Sequence, residues 1–126
     1  MDNSLYGPRN GEGALLWFFK AASGLIVLVV LIIHFVVNHF VAPNGLLSYV
    51  DVLRYYQNPI IPIMEIIFVA FVVSHSLVGL RGIILDLKPS RTVLNVVNWV
   101  LGIFGVAAII YGVWLILAVV AAGAGL

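Results

Sequence analysis

The stretch FVVSHSLVGLRGIILDL, residues 71–87, decides how this chain is read. It is apolar for most of its length, yet His75, Arg81 and Asp86 lie within it. Working outward, the 126 residues are 63% hydrophobic and only 9% charged. Mean hydropathy is +1.19, and no soluble domain of this size can hide that much apolar surface. Long apolar runs cover approximately 14–41, 60–87 and 92–122. Each exceeds the ~20 residues that cross ~30 Å of hydrocarbon as a helix. Unpaired backbone groups are not tolerated in lipid, so each run is read as a helix. The expected fold is all-α and integral to the membrane, with three transmembrane helices in a single domain, residues 1–126.

The first run is too long for a signal-peptide core, lacks a basic leader and has no clear small-x-small site after it, so it is read as a retained span. The absence of cysteine excludes disulfides and any Cys-ligated iron–sulfur cluster in this chain. Arg9 and Lys20 precede or open the first span, and Arg81, Lys88 and Arg91 surround the second connection. Only Arg54 falls on the other side. The positive-inside rule then places the N-terminus in the cytoplasm and the C-terminus outside.

Met1 to Gly13 reads as an irregular polar lead-in, and APNG (42–45) as the end of the first helix. Residues 46–57 carry Leu46, Leu47, Val50 and Leu53 at helical spacing, with Tyr49, Tyr55 and Tyr56 nearby. That pattern predicts a short interfacial helix with an aromatic belt. LKPSR (87–91) is a tight basic connection. In the third span Asn98, Gly102, Gly105, Ala108 and Gly112 fall mostly on one side, a small-residue face suited to close helix packing.

A helix turns ~100° per residue, which gathers His75, Gly79, Gly82 and Asp86 within roughly 60° and points Arg81 elsewhere, toward headgroups or a partner chain. On the same rule Lys20, Ser23, His34 and Asn38 share a face of the first helix, while His39 lies about 140° from His34. His75 falls near the membrane midplane, His34 ~10 Å in from the outer end, and His39 within a turn of the surface. A histidine at His75's depth is an interhelical hydrogen-bond donor, a metal or haem ligand, a proton relay or a quinone contact. Haem is favoured by the imidazole itself, by Gly79 one turn along, which leaves room for a flat macrocycle, and by nearby basic groups. Glu65 is read as a headgroup-level charge, with a coupling carboxylate as the alternative. Asp86 is either part of a solvated cluster with Lys88 and Arg91 or a functional contact.

HSLVGLRGIILDL (75–87) resembles the H-x3-G-[LM]-R-x4-D-Y segment of the SdhD-type membrane anchor of succinate dehydrogenases. KAASGLIVLVVLIIHFVVNHF (20–40) resembles the first helix of those anchors. The likeness spans about residues 17–118. It implies the anchor (cytochrome b) subunit of a succinate:quinone oxidoreductase in a prokaryotic cytoplasmic membrane, working in succinate oxidation or fumarate reduction. The implied partners are an SdhC-type anchor subunit, an iron–sulfur subunit and a flavoprotein subunit, with quinone as substrate and no nucleic acid. The resemblance makes His75 an axial ligand of haem b, the opposite ligand coming from the partner anchor. In relatives with two haems it makes His34 the ligand of the distal one. Gly79, Lys20, Ser23 and Asp86 are placed near haem propionates or quinone. No succinate chemistry is expected in this chain. Leu87 departs from the family's Tyr, so the quinone contact is not carried over there. The rivals are a haem-free anchor, an unrelated b-type cytochrome subunit, and a small oligomeric proton-coupled transporter.

Overall fold

The computed structural model describes residues 14–42 and 44–126. The polar lead-in, with Arg9, and Pro43 of the first turn lie outside the described residues. Helix α1 is Ala14–Val36 and runs on into a π-helical turn, Val37–Val41. A short helix α2 (Tyr49–Tyr55) follows, then α3 (Ile60–Asp86) and α4 (Arg91–Gly123). Three helices are long and apolar enough to cross a membrane, and no strand occurs among the described residues.

Helix α3 is central, with α1 on one side and α4 on the other, while α2 rests against α4. Few side chains are sealed inside: Val30, Leu53 and Ile116 are the buried apolar ones within the helices. Large apolar residues such as Trp17, Trp99 and Trp114 stay exposed, as expected where lipid is the solvent. Hydrophobic burial therefore gives little drive for helix association, and close packing and polar pairs must supply it.

The α3–α4 seam shows the close packing. A Cβ on Gly105 would lie 2.5 Å from Leu77 Cδ1, and one on Gly112 2.8 Å from Val69 Cγ1. Gly102, assigned to that face from sequence, meets nothing within 4 Å. Nearer the basic connection, Arg81 Nε donates to Asn98 Oδ1 at 2.8 Å. Arg81, expected to point toward headgroups or a partner chain, thus has a partner on α4 of its own chain as well. A helical wheel gives a residue's direction about its own axis and says nothing of which neighbour stands there.

The helix expected over 46–57 is shorter, because Ser48 starts it and Leu46 and Leu47 stay in the approach. The Ser48 Oγ accepts from Asp51 N at 3.2 Å, and Asp51 Oδ2 accepts from Ser48 N at 2.9 Å, a reciprocal capping box. At the far end Gln57 Nε2 donates to Leu53 O (3.1 Å) and Val120 O (3.2 Å), pinning the end of α2 to α4. The Ser48 hydrogen bonds hold the Asp51 carboxyl below its ordinary value. A lowered acid pKa means the cap is fully present above the unfolded value, about 3.9, and is lost as pH falls through the folded one. Ser48→Ala is expected to loosen α2 by about 1 kcal/mol. Amide exchange across residues 49–55 should accelerate several-fold, while α3 and α4 amides stay unchanged.

Candidate functional site

Both candidate histidines lie in the α1–α3 seam, and each meets a polar residue from the facing helix. Ser23 to His34 is eleven steps, a net turn of only ~20°, so both point at α3 from levels ~16 Å apart. The two helices run antiparallel, which pairs Ser23 with His75 at one level and His34 with Glu65 at the other.

At the first level Ser23 Oγ lies 3.0 Å from His75 Nδ1 and donates to Lys20 O at 3.1 Å. Ser23 is fully buried, and His75 half-buried. The ring comes this close because residue 24 is glycine: a Cβ there would stand 3.0 Å from His75 Cε1. His75 Nε2 makes no hydrogen bond among the described residues, and it is not sealed from the surface. One turn on, Gly79 is exposed, with open space where a Cβ would sit. Lys20 and Asp86 sit toward the same end of the seam, on α1 and α3. Gly24 was not singled out from sequence; it follows Ser23 directly, about 100° round the helix from it.

At the second level His34 Nδ1 donates to Val30 O at 2.9 Å, and Nε2 lies 2.6 Å from Glu65 Oε1. Phe68 packs against the His34 ring, with centroids 5.3 Å apart. Asn38 Nδ2 donates to the His34 carbonyl at 2.8 Å from the π-helical turn. Glu65, expected from its place near the start of a span to be a headgroup-level charge, is 8% exposed and faces His34. Both ring nitrogens of His34 are engaged, and in that arrangement neither is free for iron. His39 belongs to a separate aromatic contact with Phe35.

A cavity of about 160 Å³ opens beside this second pair, beneath α2, lined by His34, Asn38, Glu65, Met64, Tyr55 and Tyr56 among others. Burial, and then the Glu65 charge, push the Tyr56 hydroxyl up to about 12. The same causes raise Tyr55. No group of three or more metal-ligating side chains occurs among the described residues.

Residues 2–113 match the family described as the succinate dehydrogenase/fumarate reductase transmembrane subunit. The chain belongs to that family. The membership covers both histidine levels and most of α4. It makes the chain a membrane subunit of a succinate dehydrogenase/fumarate reductase complex, whose function is exercised with the complex's other subunits. No curated protein and no solved structure gives a significant match.

Proposed function

We propose that this chain is the SdhD-type anchor of a succinate:quinone oxidoreductase in a prokaryotic cytoplasmic membrane, holding haem b through His75 and helping to form a quinone site near the cytoplasmic face. The observation that carries the haem reading is the proton count around Ser23. A hydroxyl has one proton, and a carbonyl only accepts. In the arrangement that gives that proton to Lys20 O, Ser23 Oγ accepts from His75 Nδ1–H, and that is the tautomer assigned here. The remaining nitrogen, Nε2, then carries the lone pair that an iron needs. A fixed tautomer with the far nitrogen free is the usual arrangement around a ligating histidine. Gly24 lets the ring reach Ser23, and exposed Gly79 leaves a flat surface beside it.

A bound haem b would supply a one-electron carrier between the iron–sulfur subunit and quinone. The chain's own residues bind and orient. His75 offers Nε2, and Ser23 positions His75 and, being sealed, faces no ligand itself. Lys20 and Asp86 are placed for propionate or quinone contact, and the turn from Asp86 to Arg91 docks the iron–sulfur subunit. The N-terminus is cytoplasmic and the C-terminus outside, by the basic residues at the α3–α4 connection. An SdhC-type partner would supply a second side chain to hold the haem, and the flavoprotein subunit carries out the succinate chemistry. The proposal is for a single haem on His75.

The test is a complex purified through this chain, with subunits identified and haem measured as pyridine haemochrome. The expected result is co-purification of two soluble subunits with a b-type reduced spectrum, and loss of a haem with His75→Ala. A His75→Ala complex that keeps all its haem overturns the ligand assignment. A chain that purifies alone and carries protons across vesicles would favour a transporter.

A further inference from the structure

The turn between α3 and α4 carries two local costs that the fold of this chain does not explain. The first lies in the backbone. Leu87 N donates to Ile84 O at 3.1 Å and Lys88 N to Leu85 O at 3.0 Å, closing α3. Ser90 already caps α4, its Oγ accepting from Val93 N at 3.3 Å. So tight a reversal uses one residue in the left-handed region, and that residue is Lys88, at φ 52°. Glycine takes this conformation without a Cβ penalty, and lysine does not. Pro89 comes next and further narrows the conformations open to the residue before it. In the turn after α1 the chain puts glycine at the left-handed position, Gly45 at φ 75°. Lys88 is the one non-glycine residue with positive φ among the described residues.

The second cost is electrostatic. Arg91 is the first residue of α4, and no acidic residue lies in that helix's first turn. A cation there meets the positive end of the helix dipole. The last turn of α3 is where a cation gains from the dipole, and no basic residue stands in it. Lys88 lies just past that end, where a lysine one turn earlier would serve the dipole without strain. Lys88 and Arg91 are both exposed, and their side chains make no hydrogen bond or ion pair among the described residues. Neither charge is used by the described part of this chain. Strained backbone positions cluster at functional sites, where the strain serves the function. Two exposed cations in one turn, both placed against local preference, point to an anion outside the chain.

We propose that Lys88 and Arg91 form a cationic clamp for carboxylates on the iron–sulfur subunit, with Lys88 held in the left-handed conformation to fix its place beside Arg91. The proposal rests on the anchor reading above and names the residues of the docking turn that carry the contact. Lipid phosphate is the other anion at this level. A lysine on its flexible four-carbon stem reaches a mobile headgroup equally well from an unstrained position. A position held against strain suits a partner whose own charges are fixed. Complementary charges across such a face set the register of docking and steer the encounter. Stability of the turn is thus given up for a contact made outside the chain, the kind of exchange expected where function needs a strained site.

The test uses the complex purified through this chain and placed in vesicles, either of phosphatidylcholine alone or with added phosphatidylglycerol. The iron–sulfur subunit retained on the vesicles is measured across a salt series, since salt screens exposed charges. Lys88→Gly is expected to move two readouts in opposite directions. Amide exchange at residues 85–88 should slow, because the strain is relieved, while the iron–sulfur subunit should leave at several-fold lower salt. A merely structural lysine would not separate the two. Lys88→Arg should retain the subunit as wild type does, and Lys88→Gln and Arg91→Gln should lose it without slower exchange. A Lys88→Gly complex that holds the subunit like wild type at every salt concentration overturns the proposal. So does a loss that occurs only with phosphatidylglycerol present, which assigns the charge to a headgroup. A wild-type chain that brings down no iron–sulfur subunit overturns the anchor reading and this proposal with it. Equal retention by wild type and all the variants overturns the proposal alone.

Discussion

With haem held on His75 as proposed, replacing Gly24 by leucine is expected to strip that haem from the complex and to lower the melting temperature together. The reason is local. A single Cβ at position 24 already stands 3.0 Å from His75 Cε1 and 3.6 Å from Nε2. Alanine forces the imidazole to give by a few tenths of an ångström. Leucine fills the space the ring occupies and drives it off Ser23. Overpacking of this kind costs typically 1–3 kcal/mol. Ser23 then keeps a buried hydroxyl without its histidine, which adds the cost of an unmet polar group. The control is Gly79→Leu: nothing stands within 4 Å of its Cβ, so the helices of this chain should pack unchanged. If Gly79 borders a macrocycle, that variant loses haem without losing the fold of this chain. Visible absorbance and thermal unfolding of both variants, measured side by side, separate the two effects. A Gly24→Leu complex with full haem and an unchanged melting temperature would contradict the geometry.

Much of this architecture is legible in the sequence, and the parts that are not share a cause. Apolar runs of helical span length give the three helices directly, because lipid tolerates nothing else. Turning the first helix by ~100° per residue separates His34 from His39 and puts Ser23 on the same face as His34, and the structure shows that face turned to α3. Pairings between helices are a different matter. Helix α3 is apolar nearly all round, since lipid and a packed neighbour make the same demand, so its sequence does not mark the side that meets α1. Glu65 reads as a headgroup charge because it lies five residues into a span; only the register against α1 shows that it meets His34. Arg81 and Asn98 are 17 residues apart with a turn between them, and no periodicity within either helix predicts their contact. Ser48 is the contrasting case: Ser-x-x-Asp is a local pattern, and local patterns mark helix starts in sequence.

Alanine at Gly112 is expected to destabilise the chain more than alanine at Gly105, although the built Cβ at 105 makes the shorter contact. At 105 the obstacle is Leu77 Cδ1, 2.5 Å away, the far end of a side chain with two rotatable bonds. A rotamer change clears it at small cost. At 112 the obstacle is Val69, with Cγ1 at 2.8 Å, Cγ2 at 3.6 Å and Cβ at 3.7 Å. Valine is branched at Cβ and in a helix has one strongly preferred rotamer, so turning one methyl away brings the other in. The backbones of α3 and α4 must therefore part. In a membrane the loss is not offset by hydrophobic drive, because close contact is itself a main source of helix association there. A cost of about 1–3 kcal/mol is expected for Gly112→Ala, and less than about 1 kcal/mol for Gly105→Ala. Thermal unfolding of the two complexes in the same detergent reads the order. Val69→Ala placed in the Gly112→Ala background should recover most of the loss, since it removes the methyls that collide. If Gly105→Ala proves the more damaging, Leu77 is held more rigidly than its flexible end implies, and the α3–α4 seam is tightest nearer its basic end.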